Sequence, residues 1–177
     1  MSNTPVDQAE PIERRWPETY ATDELTLEWE FLTFLRITAV NKIAGLTPEQ
    51  AAARPLSTSP LSSLTGVIKH LTAIERFWIS IIGGGADSPD FWDDPDEEID
   101  WRLTDADTPA AAVAAYRAEW ELSGQAIAGM SGDDKTRGHD GRMETIRWIL
   151  THLMQEAARQ VGHMDVLREL ADGERGE

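Results

Sequence analysis

The segment THLMQEAARQVGHMDVLREL, residues 151–170, concentrates the side chains of this chain that are able to do chemistry. His152, Glu156, Gln160 and His163 recur within it at helical spacing. Residues four apart on a helix share a face, about 6 Å from each other along the axis. Ile149, Leu153, Ala157 and Val161 flank the row, so a helix here carries a polar seam beside its apolar face. Imidazole and carboxylate groups at such spacing are donors that a divalent cation takes, and bundle metal sites draw on more than one helix. His70 is the histidine near the apolar face of another periodic segment. It can pair with His152 and Glu156, with Glu156 and Gln160, or with Gln160 and His163. Glu156 and His163, about 10 Å apart in rise, are poor partners for one ion. The same residues have a structural alternative. A histidine on an apolar face is often a hydrogen-bonded core residue, and Glu156 with Arg159, or Asp165 with Arg168, can form ion pairs.

The elements that would position these groups follow from hydrophobic periodicity. Residues 1–20 hold three prolines and little periodicity, which predicts an extended arm packed through Trp16. A helix follows over 23–44, with Thr22 or Asp23 as its cap and Gly45 as its stop. LTPEQ predicts a short helical start with Thr47, Pro48 and Gln50 in a capping box. A second long helix spans 62–82, with Leu64, Val67, Ile68, Leu71, Ile74, Phe77, Trp78, Ile81 and Ile82 at spacings of three and four. Residues 83–107 form a long acidic loop carrying Trp92 and Trp101. Loops of this length in a compact domain are usually functional or mobile. A third helix covers 109–128 and a fourth 143–171. The predicted fold is all-α, a four-helix bundle over 21–173 with a disordered tail at 174–177.

Composition removes several function classes. The 177 residues suit one domain, with 41% hydrophobic and 27% charged content. A net charge of −16 and the lack of a basic stripe argue against nucleic acid and anionic membranes as partners. No apolar run approaches the roughly 20 residues of a membrane span, and the polar start lacks a secretory apolar region, which predicts a cytoplasmic protein. There is no cysteine, so a thiol nucleophile has to come from a cosubstrate. DDPDEEID lacks the ligand order of an EF-hand and reads as a solvated loop. Most of the seven tryptophans, Trp29, Trp78, Trp120 and Trp148 among them, sit at core spacings.

LSSLTGVIKHLTAIERFW, followed far downstream by IRWILTHLMQEAARQVGHMDVLREL, resembles the DinB-like superfamily of four-helix bundles. Within it the chain is similar to the branch called domain of unknown function 664, related to mycothiol-dependent maleylpyruvate isomerase. The resemblance covers about residues 23–173. It implies an up-down-down-up bundle, commonly a homodimer, with zinc or nickel held by a histidine at His70 and by two ligands of the last helix. In the isomerase-like pattern these fall on Glu156 and, where that branch has a histidine, on Gln160; Arg159 and the Gly162, His163, Asp165 group also match. A neutral amide is a weaker transition-metal ligand than imidazole. His163 and His152 are the substitute candidates. The implied activity is a divalent-metal- and thiol-dependent transferase or isomerase using a mycothiol-like cosubstrate and a small-molecule substrate. Arg159 and Arg168 are candidates to receive a carboxylate, and Trp78, Trp92 and Trp101 to cover the cavity. The alternative is a non-catalytic bundle with a degenerate metal site, acting through ligand binding or dimerisation.

Overall fold

The computed structural model describes residues 8–17, 23–139 and 141–176. The described elements are helical, apart from two isolated bridges, Lys135 with Thr145 and His139 with Arg142. Helix α1 spans Glu24–Ile43. The Asp23 side chain accepts from Thr26 N at its start; Thr22 lies outside the described residues. Helix α2, Pro48–Ala52, has the full capping box of Thr47 and Gln50. Helix α3, Leu64–Glu75, is capped by Ser63 and runs on as a π-helix over Arg76–Gly83. Helix α4 spans Pro109–Ala126 and helix α5 Ile146–Asp172. The last helix starts later than its periodicity suggests. Lys135 is bridged to Thr145 and His139 to Arg142, and Thr145 caps the first turn by accepting from Trp148 N.

Helix α1 packs chiefly on α5, and α3 on α4 and α5. Between them lies one apolar core that includes Leu32, Val40, Ile68, Leu71, Ile79, Tyr116, Leu150 and Met164. Burying each such side chain contributes about 1.5–3 kcal/mol. The arm expected over 1–20 is described only at 8–17. There Asn41 exchanges hydrogen bonds with the backbone of Ile12, and Trp16 stacks on Phe34 at 4.3 Å. Of the tail expected over 174–177, Glu174 is paired with Arg168, and Glu177 lies outside the described residues. No helix among the described residues is long and apolar enough to cross a membrane.

The core also contains charge. Arg36 of α1 is 1% exposed and Glu75 of α3 is 2% exposed. The guanidinium grips the carboxylate through both Nε, at 3.0 Å, and NH2, at 2.6 Å. Ser123 of α4 donates to the same carboxylate at 2.7 Å, and the guanidinium lies 4.4 Å from the Trp29 ring centroid. Burial pushes the Glu75 carboxyl upward, while Arg36 and Ser123 pull it down. A buried ion loses several kcal/mol of hydration, so removing one partner strands the other. Arg36→Ala or Glu75→Ala is expected to cost about 3–5 kcal/mol. The double change Arg36→Met with Glu75→Leu is expected to cost much less than the sum of the single changes. Urea denaturation of the three variants checks this; a single variant that unfolds within about 1 kcal/mol of the native chain would show the pair to be dispensable.

Candidate functional site

The imidazole of His70, on the outer part of α3, is held from two directions. Its Nδ1 lies 2.6 Å from Asp100 Oδ2, and its ring stacks on Trp101 with centroids 4.2 Å apart and planes at 22°. Where Asp100 accepts in this contact, Nδ1 carries the proton and Nε2 keeps its lone pair. Asp100 is 2% exposed, and its second oxygen has no hydrogen-bond partner among the described residues.

Both residues come from the acidic loop, which lies along α3. Lys69 donates to Arg102 O at 2.7 Å and pairs with Asp107 at 3.3 Å. Burial raises the Asp107 carboxyl, but hydrogen bonds from Thr104 and the nearby Lys69 outweigh it and leave the group below its usual range. Arg102 bonds Asp96 at 2.6 Å and Glu98 at 3.2 Å; its hydrogen bond lowers the Asp96 carboxyl. Farther along, Phe91 lies under Arg76 and Trp92 meets Phe77 edge-on.

Trp101 also lines a cavity of about 360 Å³. Ser59 and Ser62 contribute from the loop before α3, Glu98 from the acidic loop, and Arg159, Gln160 and His163 from α5. Gln160 is 6% exposed; its side-chain carbonyl lies 3.2 Å from His163 Nδ1. Four of the residues marked from sequence, Arg159, Gln160, His163 and Trp101, therefore share this cavity, and Trp101 connects it to His70.

Other marked residues go elsewhere. Glu156 is half-buried, does not line the cavity, and forms no ion pair with Arg159 among the described residues. His152 stacks on Trp148 and meets Trp78 edge-on, in an aromatic cluster at the π-helical part of α3. Arg168 is 8% exposed. Its NH1 donates to the carbonyls of Lys42 and Ala44, and its Nε and NH2 engage Asp172. It thus ties α5 to the end of α1 and has no donor left for a carboxylate ligand. The burial of Asp172 raises its carboxyl, but hydrogen bonds from Arg168 and Glu174 N outweigh it and lower the group. Asp165 pairs with Lys42 at 2.6 Å rather than with Arg168. A further cavity of about 380 Å³, lined by Trp29, Gly124, Ile127, Met130 and Leu150, contains none of the marked residues. Sequence reasoning missed Asp100. The available signal was Ile99 and Trp101, apolar residues on either side of it in an otherwise acidic stretch.

Among the described residues, no three His, Cys, Asp or Glu side chains are placed to hold a metal ion. The donors implied for zinc or nickel reduce to one imidazole, one carboxylate and a neutral amide already in contact with His163. These residues do not fit a tightly held three-donor transition-metal site.

Residues 27–173 match the family described as Mycothiol-S-transferase, and the chain belongs to that DinB-like family. No curated protein matches the chain significantly.

Retention of metal tests the donor argument. After loading with zinc and gel filtration, the wild type is expected to keep well below a stoichiometric amount, and Gln160→His to keep more. Full occupancy of the wild type, lost in Glu156→Ala, would overturn this account of the donors.

Proposed function

We propose that this mycothiol S-transferase family member joins a mycothiol-type low-molecular-weight thiol to a small electrophile, with the thiol bound between α5, the 59–62 loop and the acidic loop. The observation that carries the reading is the His70–Asp100 contact beside a cavity of small-molecule size, in a chain that has no cysteine of its own. A thiol attacks as its thiolate. His70 Nε2 takes the proton of the incoming S–H while Asp100 holds Nδ1–H and steadies the imidazolium. The sulfur then forms a bond to the electrophilic carbon as the bond to the leaving group breaks. The leaving group departs with the electron pair and takes the proton back from His70. Arg159, at the cavity wall, offers its guanidinium to the developing negative charge.

The hydrogen bond between Gln160 and His163 favours a second reading, in which α5 carries a settled polar network and the bundle binds its ligand without turnover.

Steady-state kinetics with mycothiol and a fluorogenic haloalkane separate the two. His70→Ala is expected to lower kcat/KM by about 10²–10⁴-fold, and Asp100→Asn by a smaller factor. EDTA is expected to leave the wild-type rate unchanged. A wild-type rate equal to the uncatalysed reaction would sink the catalytic reading in favour of the second. A loss in EDTA that zinc or nickel restores would instead place a metal in the reaction.

A further inference from the structure

We infer that a cavity between α1 and α4 is a binding site for a neutral aromatic ring carrying a carboxamide or lactam group, with Arg36 donating to its carbonyl. The cavity has a volume of about 410 Å³. Among the described residues it shares no lining residue with the thiol cavity, and the inference does not depend on that cavity's role. Trp29, Thr33 and Arg36 reach it from α1, and Trp120, Glu121 and Gln125 from α4.

The floor presents a hydrogen-bond donor. Arg36 is 1% exposed. Its Nε and Nη2 are spent on Glu75, and Nη2 also approaches Ser123 at 3.5 Å. Nη1 donates no hydrogen bond among the described residues, yet it is not sealed off as the unpaired oxygens of Thr65 and Asp100 are. Arg36 lines the cavity, so this remaining group opens on it and can meet an acceptor there. Glu75 already balances the guanidinium charge, so the cavity is offered N–H donors without an uncompensated positive charge.

The walls are flat and apolar. The guanidinium carbon lies 4.4 Å from the Trp29 ring centroid and 5.9 Å from that of Trp120. A side chain at position 124 would begin 3.4 Å from Trp29 Cζ2, so Gly124 keeps the space beside that indole open. Aromatic rings pack well against indoles, in offset or edge-on arrangements.

Charge selects among such rings. A carboxylate ligand would sit near the Glu75 and Glu121 carboxylates, in a chain of net charge −16. A cation would face the guanidinium and leave its donor unused. A neutral carbonyl accepts from Nη1, and the N–H of the same amide can donate to Thr33, Gln125 or Glu121. A mostly apolar cavity with a few converging polar groups is the usual form of a small-molecule site.

The test titrates the full-length, nitrogen-15-labelled chain with benzamide, and with benzoate and benzylamine as the same ring bearing either charge. Benzamide is expected to bind with a Kd of about 1 mM or lower. It is expected to shift the indole N–H signals of Trp29 and Trp120 and to leave that of Trp101 in place. The two charged probes are expected to bind at least about tenfold more weakly. Arg36 stays unaltered, since its removal strands Glu75. Ala128→Trp, an exposed change at the cavity, is expected to raise the benzamide Kd at least about tenfold. Glu121→Gln is expected to narrow the gap between benzamide and benzoate. No shift, a shift confined to Trp101, equal affinity for the three probes, or an affinity unchanged in Ala128→Trp overturns the site.

Discussion

The buried pair of Arg36 and Glu75 is the interaction on which the rest of the bundle depends. It joins α1 to α3, and Ser123 extends it to α4. Charges this deep are tolerated only when each is fully engaged. Their geometry therefore dictates how three helices are set against one another, where apolar contacts alone would admit some sliding. One residue on, Arg76 begins a second connection. It and Ser80 both donate to Glu119, 2% exposed on α4. The winding becomes π over Arg76–Gly83, with Gly84 N reaching Ile79 O at 2.8 Å. Gly84 lies so close to α4 that a Cβ there would be 2.5 Å from the Ala126 Cβ.

That anchoring bears directly on the site. Glu75 and His70 are on the same helix, about 7.5 Å apart in rise. A helix pinned at Glu75 gives His70 a fixed backbone, and the acidic loop fixes the ring. The loop meets α3 at Lys69, His70, Arg76 and Phe77 in turn. Its negative charge is partly offset by Arg102 and Lys69, and Phe91 packs under Arg76, so it lies along the helix instead of standing off in solvent. The chain's large net negative charge thus coexists with a candidate site whose walls carry charges of both signs.

The helices were legible from sequence because each has a local signal. Thr47 with Gln50, Ser63, Thr108 and Asp23 cap as their types predict, and apolar spacing marks the buried faces. The π winding was not legible, since over eight residues its side-chain period differs too little from that of an α-helix. On α5, the Gln160 and His163 positions read from spacing do fall on one cavity. His152 and Arg168 do not. One is drawn into stacking with Trp148, the other into the carbonyls that end α1. Trp148 is four residues before His152, so spacing puts the two on one face without saying that the rings stack; the Arg168 contacts lie more than a hundred residues away, which helical spacing does not encode. Asp100 escaped notice for the same reason. Its role comes from a loop folding back across 30 residues; the flanking Ile99 and Trp101 hint that it is buried but do not say which residue it meets.

Residues 98–101 connect recognition and activation more tightly than the α5 residues do. Trp101 touches both the cavity and His70, and the adjacent Asp100 holds the His70 ring. A shift of this turn therefore moves the Trp101 indole at the cavity and the His70 imidazole together. Gln160 and His163 contact each other and the cavity, and a change there alters the wall without a hydrogen bond to the base. The residues thus divide into a turn that couples the cavity to the His70 ring and a helix face that borders the cavity alone. An acidic loop held to α3 by Lys69 and Arg76 is the physical means by which that coupling is kept in register, because displacing the loop requires breaking contacts at both ends at once.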